Sequence, residues 1–322
     1  MGDNTAIEWT DATWNPVTGC TKVSPGCDHC YAENLAERFR GTPGHYFENG
    51  FDVQLRPDKL VQPLRWSKPR RVFVDSMSDL FHDEIPDNFI AEVFAVMALA
   101  SQHTFQVLTK RAGRMRALLN RNEFLTRVCE VGHGIADRQK LDGRIFDRGP
   151  WPLPNVWLGV STENQKWADI RIPQLLDTPA AVRFISAEPL LGEVMLPLAW
   201  LHRAGHTGRV DWVIAGGESG RGARPVHPDW VRTLRDQCVF TGTPFHFKQW
   251  GEWKPYPRDS GYFPAHFVQR EDGRLITDEQ FWGVTQGHWN GVQRVGKKKA
   301  GRELDGRMWD QTPSVVRGGI GE

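Results

Sequence analysis

The chain has 322 residues, with 40 Lys and Arg against 39 Asp and Glu, a formal net charge of +1. That balance excludes a protein held to nucleic acid by its overall charge, so any basic surface must be local. With 39% hydrophobic and 25% charged residues the chain can bury a sizeable core and is not a disordered polymer. No run approaches the ~20 consecutive apolar residues that span a bilayer, and the polar N-terminus lacks the basic and apolar stretches of a signal peptide. A soluble cytoplasmic protein, with no membrane partner, is the expectation. The 14 tryptophans need a reason, either packing, stacking or exposed contact.

The first feature in chain order is a cysteine cluster: three of the five cysteines, Cys20, Cys27 and Cys30, fall within eleven residues. In a chain without an export signal such clustering points to metal or redox chemistry rather than disulfides. Cys129 and Cys238 sit in apolar or helical surroundings and read as inert thiols. A strand is expected within residues 7–17, before the cysteines, and a helix over 32–40, after them. Six apolar runs follow, each ending in polar groups. Residues 72–74 lead into Asp75 and Ser76, and residues 104–109 into Lys110. Residues 156–160 precede Ser161 and Glu163, and residues 182–187 precede Glu188. Residues 212–215 precede Gly216, Gly217 and Glu218, and residues 245–247 precede Lys248. Runs without clean alternation are what strands buried on both faces look like.

Helical spacing appears between these runs. Asp87 reads as the cap of a helix carrying Phe89, Ile90, Val93, Phe94, Met97 and Ala100. Further helices are expected over 113–125 and 164–176, and after Pro228, where Trp230, Val231, Leu234 and Cys238 share a face. Strands alternating with helices imply an α/β fold: a partial TIM-like (β/α) barrel of six to seven mostly parallel strands over residues 1–250. Residues 130–154 read as an exposed insertion. Residues 251–322, rich in Gly, Pro and aromatics, read as an irregular C-terminal extension with a loose end.

In such folds the residues after the strands converge on one face. The candidates are Asp75, Ser76, Asp79, Lys110, Ser161, Glu163, Glu188, Glu218 and Lys248. One polar residue after a strand usually only ends it, but six strands in succession favour convergence. Glu218 lies in a Gly-rich turn, where Gly216 and Gly217 allow a ligand to approach the backbone and the carboxylate to receive an amine. Three thiolates on a loop can bind three irons of a [4Fe–4S] cluster, leaving one iron open. A structural zinc site is the alternative; it wants four ligands, with His29 or His45 as the fourth. The loop's place between the first strand and a helix, at the barrel mouth, favours the cluster. His82 with Asp83 and Glu84 reads equally as a proton relay and as a loop cap.

The run from Glu8 to Cys20, with Trp14, Asn15, Pro16 and Gly19, continues in Cys27-Asp28-His29-Cys30-Tyr31-Ala32-Glu33. With it go Asp79-Leu80-Phe81-His82, Val107-Leu108-Thr109-Lys110-Arg111 and Ser186-Ala187-Glu188-Pro189-Leu190. Gly216 to Gly220, Lys248-Gln249-Trp250-Gly251 and Gly301 to Gly306 complete the set. On these segments the chain resembles the radical S-adenosylmethionine (SAM) superfamily, and within it a phage-associated, largely uncharacterised family. Its cysteine spacing is six then two residues, where three then two is common, and His29 replaces the usual aromatic before the third cysteine. The resemblance implies a [4Fe–4S] cluster on Cys20, Cys27 and Cys30 whose open iron is chelated by SAM. A reductant such as flavodoxin or ferredoxin would supply one electron, SAM would split to methionine and a 5′-deoxyadenosyl radical, and the radical would abstract hydrogen from a substrate. It further implies cofactor contacts from Asp75, Ser76, Ser161, Glu163, Glu188, Gly216, Gly217 and Glu218. Ser161 and Glu163 would hold the ribose, and Glu218 or Asp75 the methionine amine.

Nucleic acid is one substrate to consider, since residues 65–71 and 297–302 interleave or cluster Arg and Lys near aromatics. The plainer reading of 65–71 is a core tryptophan beneath a solvated surface. The rival function is a zinc-stabilised, non-catalytic nucleic-acid-binding protein. A hydrolase built on Glu188 and Glu218 lacks an assigned nucleophile and leaves the cysteines unexplained.

Overall fold

The computed structural model describes residues 5, 7–202, 208–256, 266–284 and 286–314. The polar N-terminal tip and the Gly-rich end that reads as loose lie outside these residues. Strand β1 (Ala12–Trp14) comes first, and the antiparallel pair β2 (Val17–Thr18) and β3 (Gln54–Leu55) brackets the cysteines. Then follow β4 (Arg71–Val74), β5 (Thr104–Thr109), β6 (Val156–Ser161), β7 (Val182–Ala187), β8 (Trp212–Gly216) and β9 (Phe245–Gln249). Strands β1 and β4 to β9 form one parallel sheet in strict chain order, curled into a half-barrel. Helices Asp87–Leu99, Ala112–Leu119, Asn122–Gln139, Gln165–Leu176 and Pro228–Thr241 lie between successive strands of this sheet. Among the described residues, no helix is long and apolar enough to cross a membrane.

The apolar runs lack alternation because both faces of the sheet are buried. Val72, Val74, Phe105, Val107, Leu158, Val160, Ile185, Val213, Phe245 and Phe247 pack outward with the helices in the main core. The alternate residues Phe73, Trp157, Phe184, Trp212 and Ile214 pack inward around Trp9. The Trp9 ring meets Phe73 and Trp212 edge-on at centroid distances of 5.0 and 5.7 Å. This plug closes the N-terminal end of the half-barrel, so only the end where the strands finish is available for polar chemistry.

The C-terminal extension is more ordered than its composition implies. Strands β10 (Trp253–Pro255), β11 (His266–Gln269), β12 (Leu275–Thr277) and β13 (Trp289–Arg294) form an antiparallel sheet in the order β10-β13-β11-β12. Its strands are short and interrupted by Gly and Pro, which hides their period. Nine of the 14 tryptophans are buried, and four of them tie the extension to the barrel by indole hydrogen bonds. Trp212, Trp230, Trp250 and Trp253 donate to the carbonyls of Gln311, Arg270, Glu303 and Ala223 at 2.6–2.8 Å. An indole supplies a large apolar face and one donor, so it joins two layers without leaving a polar atom unpaired. The chain end also covers the open edge of β9: Phe247 donates to Trp309 O at 2.9 Å, and Gln311 to Phe245 O at 3.2 Å. A covered edge cannot recruit a foreign strand.

Two helical expectations need correction. The helix expected over 113–125 is two helices, and the second runs on to Gln139. It therefore takes up much of the supposed insertion, because Phe124, Val128, Gly132, Ile135 and Ala136 recur at helical spacing and are buried. The charges between them read as loop in the sequence but sit on the solvated face. Asp87 lies in the first turn of its helix, with Pro86 at the cap position. Asn164 caps the helix Gln165–Leu176, its Oδ1 accepting from Trp167 N at 3.3 Å.

Trp9→Ala should destabilise the fold by about 3–5 kcal/mol, the range for removing a buried aromatic. Trp282→Ala, at a side chain 75% exposed, should change stability by no more than about 0.5 kcal/mol. Urea unfolding of both variants checks this, and equal midpoints would refute the plug.

Candidate functional site

The cysteine loop lies across the mouth, where the strands end. Asn15, just after β1, orders the turn beneath it: its Oδ1 accepts from Ser76 Oγ at 3.1 Å and Met77 N at 3.0 Å. Gly19 N donates to Met77 O and Cys20 N to Phe51 O, at 2.9 and 3.2 Å. A single 3₁₀ turn, Pro25–Cys27, follows, and Cys30 stands at the cap of helix Tyr31–Ala36. All three cysteines are half-buried. Tyr31 leans back across the mouth, its hydroxyl donating to Ser76 O at 2.6 Å.

Three buried carboxylates hold this loop. Glu163, after β6, accepts from Ser24 Oγ at 2.6 Å on one oxygen and from Arg171 Nη1 at 2.8 Å on the other. Both charged side chains are at most 1% exposed, so each compensates the desolvation of the other. Gly26 is required here, because a Cβ would stand 2.4 Å from Glu163 Oε1. Across the mouth, Glu218 is gripped by Arg224 through Nε and Nη2 at 2.9 and 2.7 Å. Arg224 also reaches Pro25 O at 2.8 Å and Asp28 Oδ2 at 3.1 Å. The third is Asp79, which accepts from Thr109 Oγ1 and Lys110 N at 2.7 and 3.0 Å. It lies 3.3 Å from Arg111, whose Nη2 binds Thr21 O and Oγ1 at 3.1 and 2.9 Å.

Inside the mouth the remaining candidates form a polar wall. Lys110 Nζ donates to Ser161 Oγ at 3.1 Å, and Lys248 Nζ stands 3.1 Å from Glu188 Oε1. Ser161 and Ser186 are register partners on β6 and β7. The two glycines before Glu218 serve the protein's own packing: a Cβ at Gly216 would meet Glu188 Oε1 at 2.6 Å, and one at Gly217 would meet Trp250 O at 2.0 Å. Asp75, with φ of 59°, turns the chain out of β4. Its Oδ1 accepts from Val17 N at 3.2 Å, while its buried Oδ2 meets no hydrogen-bond partner among the described residues. Burial pushes its carboxyl up to about 8. Burial, then the nearby Asp79 carboxylate, pushes the Cys20 thiol up to about 11, against the pull of Arg111.

The histidines resolve into supports. His82 Nδ1 accepts from Glu84 N at 3.2 Å, which leaves the proton on Nε2 to be donated to Thr21 Oγ1 at 2.8 Å. Burial holds this ring below the usual imidazole range, in keeping with a neutral side chain. His45 stacks on Phe39 at 3.9 Å, and its Nδ1 accepts from Phe47 N. His29 packs against Gly222. Among the described residues, no three Cys, His, Asp or Glu side chains converge as ligands of a single metal ion. Cys238 is fully buried, and burial pushes its thiol up to about 12. In the 65–71 segment Trp66 is core, 8% exposed, with Arg70 over its ring at 5.1 Å. That segment leads into β4 at the end of the barrel away from the mouth. Sequence reasoning missed Arg171 and Arg224 as site residues. The signal that could have found them is the count of carboxylates after the strands, each needing a counter-charge once buried.

A family model, described as "Protein of unknown function (DUF5131)", matches residues 4–313, and the chain belongs to that family. No curated protein and no solved structure gives a significant match.

Arg224→Ala and Ser24→Ala should each loosen the loop, and loss of ~1.4 kcal/mol of closure free energy gives about tenfold faster thiol labelling. Mass-resolved alkylation of Cys27 and Cys30 checks this; rates equal to wild type would show that the two anchors do not hold the loop. Asp75 gives a pH test. Its folded value, about 8, lies above the ordinary 3.8, so the folded state keeps a proton the unfolded state has released. Its contribution to stability is complete below about pH 4 and is lost as the pH rises to about 8. Asp75→Asn, which cannot titrate, should therefore gain on wild type across that interval in denaturant melts. A constant difference would remove the buried-acid assignment.

Proposed function

We propose that this DUF5131 protein is a radical SAM-type enzyme, holding a [4Fe–4S] cluster on Cys20, Cys27 and Cys30 and using SAM to abstract hydrogen from a substrate. The observation that carries this reading is the loop itself: three thiols on one braced segment over the open mouth of a parallel half-barrel. The donor set fits the group. Three half-buried thiols on one loop are the donors a [4Fe–4S] cluster takes, each thiolate on a different iron with the fourth iron left open. When bound, the cluster would supply one electron to SAM and an open iron to chelate its amino and carboxylate groups.

The chain's own residues divide the remaining work. Glu163 holds Ser24 on one oxygen and Arg171 on the other, and both oxygens of Glu218 hold Arg224, which reaches Pro25 O on the loop, so their part in the site is to position the cysteines. Ser161, Ser186 and Glu188, with Lys110 and Lys248 beside them, are the groups on the wall with hydrogen-bonding capacity for a bound cofactor. The aromatic plug behind that wall keeps bulk water from entering from below, which suits a reactive intermediate. Nucleic acid is the first substrate class to test, since Tyr31 is 60% exposed beside Cys30 and offers a stacking face.

Anaerobic reconstitution with iron and sulfide should yield a brown protein whose visible absorbance is lost in Cys27→Ala. Dithionite-reduced wild type should release 5′-deoxyadenosine from SAM. Stoichiometric zinc with no iron uptake would overturn the proposal in favour of a zinc-stabilised binding protein. A fully loaded protein that leaves SAM intact would reduce it to a binding role.

A further inference from the structure

We infer that Arg111 is a positioning residue that sets the reduction potential of the cluster by donating a hydrogen bond to the sulfur of Cys20; this rests on the reading of Cys20 as an iron ligand. The guanidinium Nη1 donates to Cys20 Sγ at 3.3 Å. The same side chain, only 9% exposed, lies 3.3 Å from Asp79 Oδ2 and donates twice to Thr21. Its aim is set from below. Asp79 is fixed by Thr109 Oγ1, by Lys110 N and by Phe81 N at 3.1 Å, and Arg111 N donates to Thr109 Oγ1 at 2.8 Å. Arg111 therefore does not depend on the thiol for its position. It presents a donor to that sulfur by virtue of the barrel backbone.

A donor on a ligand sulfur withdraws electron density from it and favours the reduced, more negatively charged cluster, so the potential rises. The Asp79 charge offsets that of the guanidinium, which leaves the directed N–H···S bond as the main contribution. Burial strengthens that bond by keeping solvent from competing for it. Lysine would keep the charge but has no planar fork able to serve Asp79, Thr21 and Cys20 together. The redox step is one electron passing from an external one-electron reductant to the cluster, with no bond made or broken.

The test is an EPR-monitored redox titration of reconstituted full-length protein, with iron quantified in every sample. Arg111→Lys and Arg111→Gln should disfavour reduction about tenfold, 59 mV for one electron, at wild-type iron content. Potentials unmoved at equal iron content would overturn the inference while leaving the cluster reading intact. A wild type that takes up no iron would overturn both. A second measurement needs no variant: pulsed EPR of the reduced wild type grown with ¹⁵N-arginine should show a ¹⁵N coupling absent from unlabelled protein. Lack of that coupling in a loaded sample overturns the inference whatever the variants do.

Discussion

Glu163 and Glu218, on opposite sides of the barrel mouth, hold the cysteine loop between them, and the rest of the site depends on that grip. Each carboxylate is buried, and each is offset by an arginine from its own side of the sheet, Arg171 and Arg224. The contacts to the loop then use what these pairs leave over: the Ser24 hydroxyl, the space that Gly26 vacates, and the Pro25 carbonyl with Asp28. Removing one member of the Glu163–Arg171 pair strands the other in a dry interior, which costs ~3–5 kcal/mol. The loop is thus held by interactions that no bound metal has to supply.

The half-barrel gives this arrangement its direction. Its lower half is filled by Trp9, Phe73, Trp157, Phe184 and Trp212, and its upper half by Lys110, Ser161, Ser186, Glu188 and Lys248. A strand has a side-chain period of two, so the same inward-facing column passes from aromatic to ionisable within a few residues. Below, the column is a packed core. Above, it is a polar wall facing three thiols. The C-terminal extension secures this division by covering the edge of β9 and by accepting indole hydrogen bonds from barrel tryptophans.

Much of the barrel was legible in the sequence. Strands buried on both faces need a continuous apolar run, and each of the six runs with its terminal polar group became a strand of the sheet. The cysteine loop was legible from its spacing and its place after the first strand. The helix over Asn122–Gln139 was not, because its apolar positions are separated by charges that compose a solvated face. The extension was not either, since strands of three to six residues between glycines carry too little period to register.

The bracing residues show where the division falls. The sequence by itself determined a parallel α/β barrel with a three-cysteine loop at its mouth, because burial on both faces and clustered thiols leave local marks in the chain. Only the tertiary structure decided that Asp79, Glu163 and Glu218 serve the loop and that Arg111, Arg171 and Arg224 are their respective complements. A counter-charge is chosen by distance in space: Arg224 stands 196 residues from Asp28 and 3.1 Å from its carboxylate. No pattern along the chain records such a contact, because the two segments meet only once the barrel has closed and brought its mouth loops together.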